Sequence, residues 1–155
     1  MRISLLVVSH KQPTWVLAAS EEYERRLPRE WSFSLVEIKP EARTSGVTTE
    51  RVQAAEAVRL RAALPKNVQV VALDERGDAW SSEQFAAAMR RWQLDGRDLA
   101  FVIGGADGLD PGLRNGAHRR LSLSAMTLPH GLARVVLVEQ LYRVSTLLAG
   151  HPYHK

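Results

Sequence analysis

The chain contains no cysteine, so neither a disulfide nor a thiolate metal site can form. Charged residues interrupt every apolar stretch well before the roughly 18 residues that a membrane span requires. The opening MRISLLVVSHKQP has the outline of a secretory signal. Its apolar core is only ISLLVV, however, and no small-residue cleavage site follows, so it reads as a first strand. The cytoplasm is therefore the expected address. The histidines lack metal-binding spacing: there is no H-E-x-x-H, and His151 and His154 have no acid beside them. No metal is expected. There is no G-x-S-x-G, which argues against a nucleophilic hydrolase. Neither G-x-G-x-x-G nor G-x-x-x-x-G-K-[ST] occurs, so nucleotide-phosphate binding has no support. Repeats, low-complexity runs and linkers are also missing.

What remains is one ordinary domain. A chain of 155 residues with 45% hydrophobic content can bury a real core. Lysine and arginine total 21 against 17 acidic residues, a net charge of +4. That excess permits a polyanionic partner without requiring one. The basic residues Lys39, Arg43, Arg51, Arg90, Arg91, Arg119 and Arg120 are scattered and read as solvated surface.

Periodicity predicts strands over 2–9, 31–38, 67–74 and 99–103, and helices over 13–27, 48–64 and 81–96. Pro13 lies near the first turn of the first helix and Pro28 ends it. Thr48 is the expected cap of the second, and serine opens the third. The alternation β-α-β-α-β-α-β argues for a mostly parallel sheet with helices on both faces. After Ile103 the pattern changes. GGADGLDPGLRNGA puts five glycines in fourteen residues directly after a buried strand. RRLSLSAMTLPHGL then reads as strand passing into loop. A last helix is expected over 133–150, with Leu137, Val138, Leu141, Val144 and Leu148 on one wide face and Glu139 and Arg143 paired at i,i+4 on the other. It is apolar around so much of its circumference that a second subunit is expected to cover part of it.

Ligands of parallel α/β sheets sit beyond the carboxyl ends of strands. Three such ends carry candidates: Leu73 with Asp74, the glycine turn at Gly104 and Gly105, and the segment LSAMTLP. Each alone reads equally well as a turn or a strand end. Together they can wall an apolar pocket for a flat ring. The chain closes on HPYHK, residues 151–155, an unusual concentration of chemistry for a terminus that is ordinarily frayed. The histidines are not consecutive, which weakens a purification-tag reading.

Taken together, FVIGGADGL, LSLSAMTLPHGLARVVLVEQLYR, WQLDGRDLAFVIGG, the early Lys11-x-Pro13-x-Trp15 and the terminal HPYHK closely resemble the RlmH-type SPOUT methyltransferase family over essentially the whole chain. The family methylates N3 of the pseudouridine at position 1915, in helix 69 of 23S ribosomal RNA. The resemblance implies an α/β fold with a C-terminal trefoil knot, a single SPOUT domain spanning 1–155, a homodimer, and S-adenosylmethionine as cofactor. By the same likeness the cofactor contacts fall at Leu73, Gly104, Gly105, Leu123, Ser124, Ala125, Met126, Thr127 and Leu128. The tail would lie near the cofactor and help form the RNA-binding active site. Asp107 receives no fixed role.

The imide N3 of pseudouridine is mostly protonated at neutral pH, so a base or a cation near it would assist transfer. His154, Tyr153, Arg143, Glu139 and His130 are the candidates, and nothing in the sequence selects among them. The modest charge points to assembled ribosomes as the substrate, whose neighbouring surfaces would supply recognition. Two alternatives stay open: a SPOUT methyltransferase acting on another RNA such as tRNA, and a non-catalytic ribosome-binding factor.

Overall fold

The computed structural model describes residues 1–154, with the side chain of His154 and all of Lys155 outside the description. The strands are β1 (Ile3–Val8), β2 (Phe33–Ile38), β3 (Gln69–Ala79), β4 (Leu99–Ile103) and β5 (Arg119–Ser122). The helices are α1 (Thr14–Glu24), α2 (Thr49–Ala63), α3 (Ser82–Leu94), α4 (Pro111–Gly116) and α5 (His130–Ala149). The strands form one parallel sheet in the order β2-β1-β4-β3-β5.

Central β1 and β4 are buried at every position, which is why ISLLVV and LAFVI are apolar without alternation. Edge strand β2 keeps Ser34 and Glu37 exposed. One face of the sheet packs Leu6, Val8, Ala100 and Val102 against Ala57 and Leu60 of α2 and Leu113 of α4. The other face packs Leu5, Val71 and Phe101 against α3 and α5, where Phe85 meets Phe101 edge-on at 6.0 Å. The caps follow the sequence signals. Thr48 Oγ1 accepts from the Arg51 amide, and Ser81 and Gln84 form a reciprocal capping box on α3.

Several boundaries differ from expectation, each for a local reason. Residues 29–31 form a 3-10 turn ending at Ser32, whose φ of 36° is left-handed, so buried Trp31 enters the core before β2 begins. β3 continues past Asp74 to Ala79. Its ladder to β5 shifts register between Leu73 and Asp78, so ALDERG is a bulge within a strand. α4 was not anticipated, although its start is spelled out: Asp110 caps Leu113 N–H and Pro111 follows at the first helical position. α5 begins three residues early, at His130 after Pro129. Leu137, Val138, Leu141 and Val144 are fully buried in it, but Leu148 is only half-buried.

Candidate active site

The bulge of β3, the glycine turn after β4 and the 123–129 segment after β5 converge at the carboxyl edge of the sheet. They enclose a cavity of about 770 Å³, within the range of drug-sized ligand sites. Leu73, Gly104, Gly105, Leu123, Ser124, Met126, Thr127 and Leu128 all line it, and Ala125 does not. Ile103 and Leu121 add apolar wall, while His130 and Ala133 bring the first turn of α5 to it.

Hydrogen bonds hold the 123–129 segment in place of regular structure. Ser122 Oγ donates to Ser124 O at 2.9 Å, the Met126 amide donates to Ser124 Oγ at 2.9 Å, and Thr127 Oγ1 donates to Glu75 Oε2 at 2.9 Å. Met126 stands 78% exposed at the rim. Inside, Asp74 Oδ2 and Arg114 Nε are buried and lie 3.8 Å apart, too far for a hydrogen bond, and neither has another partner among the described residues. Both residues line the cavity and can be completed by a ligand with hydroxyl or charged groups.

The glycine turn is closely packed behind the cavity. A Cβ on Gly104 would meet Gly108 C at 2.6 Å, and one on Gly105 would meet Glu56 Oε1 at 3.0 Å and Val8 at 3.2 Å. The missing side chains therefore permit close packing of the turn on itself and on α2, while both glycines also line the cavity. Asp107 has a structural place here: its carboxylate pairs with Arg43 at 2.6 Å and its carbonyl accepts from Gln53 at 2.6 Å.

The proposed catalytic residues form a second group, at the far end of α5. Glu139 Oε1 accepts from Arg143 Nη2 at 2.7 Å, Arg143 Nε at 3.0 Å and the Tyr153 hydroxyl at 3.2 Å. Tyr153 packs against Tyr142 with the rings tilted by 56° and centroids 4.6 Å apart, and Arg143 sits 4.9 Å above the Tyr153 ring. Gly150 closes the helix in the left-handed conformation and turns the tail back onto it. Burial, with hydrogen bonding to Tyr23 and the negative charge of Glu139, pushes the Tyr153 phenol up to about 12. Arg143 is raised by its hydrogen bond to Glu139. The His154 side chain lies outside the described residues.

None of Glu139, Arg143 and Tyr153 lines the cavity of its own chain. Ala133 touches it, and Arg143 is ten residues further along α5, about 15 Å at 1.5 Å per residue. Sequence reasoning identified both groups but missed Arg114 and Gln53. Their signals were the Asp-Pro helix start before Arg114 and the position of Gln53 on the helix over the glycine turn. Among the described residues no cluster of three His, Asp or Glu can hold a metal ion, and no helix is long and apolar enough to cross a membrane.

Residues 1–154 match the family model described as "Predicted SPOUT methyltransferase". Proteins called "Ribosomal RNA large subunit methyltransferase H" from Nitrosospira multiformis and Paraburkholderia xenovorans are each 53% identical to this chain. One from Burkholderia thailandensis is 52% identical. Each alignment covers 100% of this chain and 99% of the relative. A crystal structure of a probable methyltransferase from Bordetella pertussis Tohama I superposes with a TM-score of 0.59 at 19% identity, covering 92% of this chain and 95% of that one, a likeness of fold.

Proposed function

Because the chain belongs to the SPOUT methyltransferase family, we propose that it transfers a methyl group from S-adenosylmethionine to N3 of a pseudouridine in large-subunit ribosomal RNA. The observation that carries this reading is the cavity where three strand ends meet, joined to full-length likeness to proteins named for large-subunit RNA methylation. The donor set fits the cofactor. Leu73, Ile103, Leu121 and Leu128 offer apolar walls for an adenine ring, and Asp74 Oδ2 and Arg114 Nε, ion-paired with each other but without a hydrogen bond, offer groups for its polar parts. When bound, S-adenosylmethionine supplies an electrophilic methyl group on a sulfonium.

The protein's share is then mainly positioning. The 123–128 segment, pinned to Glu75, fixes one wall, and Gln53 fixes the glycine turn opposite. The C-terminal trefoil knot belongs with this reading: 123–130 runs from the edge strand β5, past Glu75, to the glycine turn. Tyr153 keeps its proton at neutral pH, so its role is to donate a hydrogen bond and not to take a proton. Arg143, held by Glu139, supplies a fixed positive charge for an imide losing its proton.

Those groups reach a cavity only if the tail of one subunit serves the pocket of another. α5 supports this, since Leu132, Val135 and Val136 stay partly exposed beyond its fully buried face. A two-fold homodimer burying that side would bring each tail toward the partner's cavity. Ribosomes are the substrate and the cytoplasm the place of action. The test is partition of a labelled methyl group among large subunits, small subunits and tRNA. Label confined to the large subunit is expected. Label in tRNA alone, or in no RNA, overturns the reading.

A further inference from the structure

Behind the glycine turn lies a second, smaller cavity of about 160 Å³, bounded by Ser9, His10, Glu56, Gly105, Ala106 and His130 with the 40–43 loop. Gly105, Ala106 and His130 line both cavities, so the two are immediate neighbours. A void of about 150 Å³ admits one six-membered ring. Its lining is mostly apolar, with the Ser9 hydroxyl and the Glu56 carboxylate as polar points on it. Ser9 Oγ is buried and has no hydrogen-bond partner among the described residues. Glu56 is 4% exposed, and its carboxylate accepts one recorded hydrogen bond, from the Glu41 amide at 3.0 Å to Oε2. Both oxygens lie against Gly105. A buried carboxylate with so little support wants further N–H donors. The same carboxylate makes the cavity unwelcoming to an anion.

We propose that this cavity is the subsite for the target nucleobase, taking a pyrimidine-dione ring with a ring N–H on the Glu56 carboxylate and a ring carbonyl on the Ser9 hydroxyl. The inference rests on the function proposed above and adds what that reading lacks, a place for the acceptor beside the donor. In-line transfer needs donor and acceptor atoms roughly 3–3.5 Å apart; the two cavities are neighbours at Gly105, Ala106 and His130, and transfer requires the ring edge carrying N3 to reach past those residues into the larger one. The site also favours pseudouridine over uridine. Pseudouridine carries N–H groups at both N1 and N3, whereas uridine, joined to its sugar through N1, carries only the one at N3. Pseudouridine can keep N1–H on Glu56 while N3 faces the methyl donor. Uridine presenting N3 leaves Glu56 buried with one donor fewer.

Two measurements test the proposal independently. In the first, ¹⁵N-labelled protein is titrated with pseudouridine 5′-monophosphate. The amides of Ser9, Gly105 and Ala106 should shift, and they should stay still in a folded Ala42→Trp variant, where an exposed loop residue at the cavity is enlarged to fill it. Absence of shifts in the wild type, or equal shifts in Ala42→Trp, overturns the subsite. In the second, methyl transfer is compared on ribosomes carrying pseudouridine or uridine at the target. Glu56→Gln should lower the pseudouridine-to-uridine rate ratio by about tenfold or more while leaving cofactor affinity within about twofold. A merely structural Glu56 would lower both rates together, and an unchanged ratio overturns the assignment. If the wild type methylates no RNA, the proposed function falls, and the titration still decides the subsite.

Discussion

Replacing Gly104 with alanine tests whether the glycine turn is shaped by its own packing. The added Cβ would sit 2.6 Å from Gly108 C, 2.8 Å from Leu109 N and 2.9 Å from Gly108 O. All three are backbone atoms, so no side chain can rotate away. Ordinary carbon contacts begin near 3.5 Å, so the turn must open by about 1 Å. It is held by the Gly108 amide donating to Gly105 O at 3.0 Å, and opening it strains that bond. Overpacking of this kind costs about 1–3 kcal/mol. For a domain of this size each kcal/mol moves Tm by roughly 2–4 °C, so a fall of about 2–12 °C is expected. Gly105→Ala should cost less, because its nearest neighbour is the Glu56 side chain. Gly116→Ala is the control: nothing lies within 4 Å of its added Cβ, and a neutral or slightly raised Tm is expected. Calorimetric melting of the three variants gives the ranking. A Gly104→Ala protein melting within about 1 °C of wild type would refute the packing argument.

Deleting residues 151–155 removes the Tyr153–Tyr142 contact and the hydrogen bond to Glu139, so Tm should fall by a few degrees, about 1 kcal/mol, while cofactor binding by calorimetry is retained and methyl transfer collapses. A mixed dimer pairing that truncation with an intact-tailed Ala106→Trp protomer, whose pocket is filled, should recover activity at one of its two sites; a dead mixed dimer would show that tails act within their own subunit. The Tyr153 phenol is raised in the folded state from 10.0 to about 12, so its contribution to stability is complete below pH 10 and is lost as pH rises toward 12. Absorbance titration of tyrosinate should show a phenol ionising near pH 12 that disappears in Tyr153→Phe. A rate profile with a Tyr153-dependent limb below pH 9 would contradict its role as a donor.

The sheet was legible because its central strands are uniformly apolar and its helices carry conventional caps. The three strand ends that wall the cavity were legible for the same reason: position beyond a parallel strand is a physical signal even where no motif exists. What stayed hidden depends on contacts distant in sequence. β3 runs through ALDERG only because β5 pairs with it on both sides of the bulge, and β5 comes some forty residues later. The glycines at 104 and 105 invited a ligand-approach reading, but nothing in the sequence showed that they also pack on Gly108 and Glu56. Glu56 itself gave no signal, since a glutamate in TTERVQAAEAVRL reads as an ordinary solvated helix position. Only the fold shows it buried beneath the turn. The Glu139–Arg143 pair was readable from i,i+4 spacing, but the return of Tyr153 onto it required the left-handed Gly150.

The central claim is tested most directly by product analysis. Ribosomes from cells lacking this activity are incubated with the purified protein and labelled S-adenosylmethionine, and the large-subunit RNA is digested to nucleosides. The account predicts one labelled product, N3-methylpseudouridine, approaching one per large subunit. A labelled nucleoside of any other kind, or ribosomes that remain unlabelled with cofactor demonstrably bound, would contradict it.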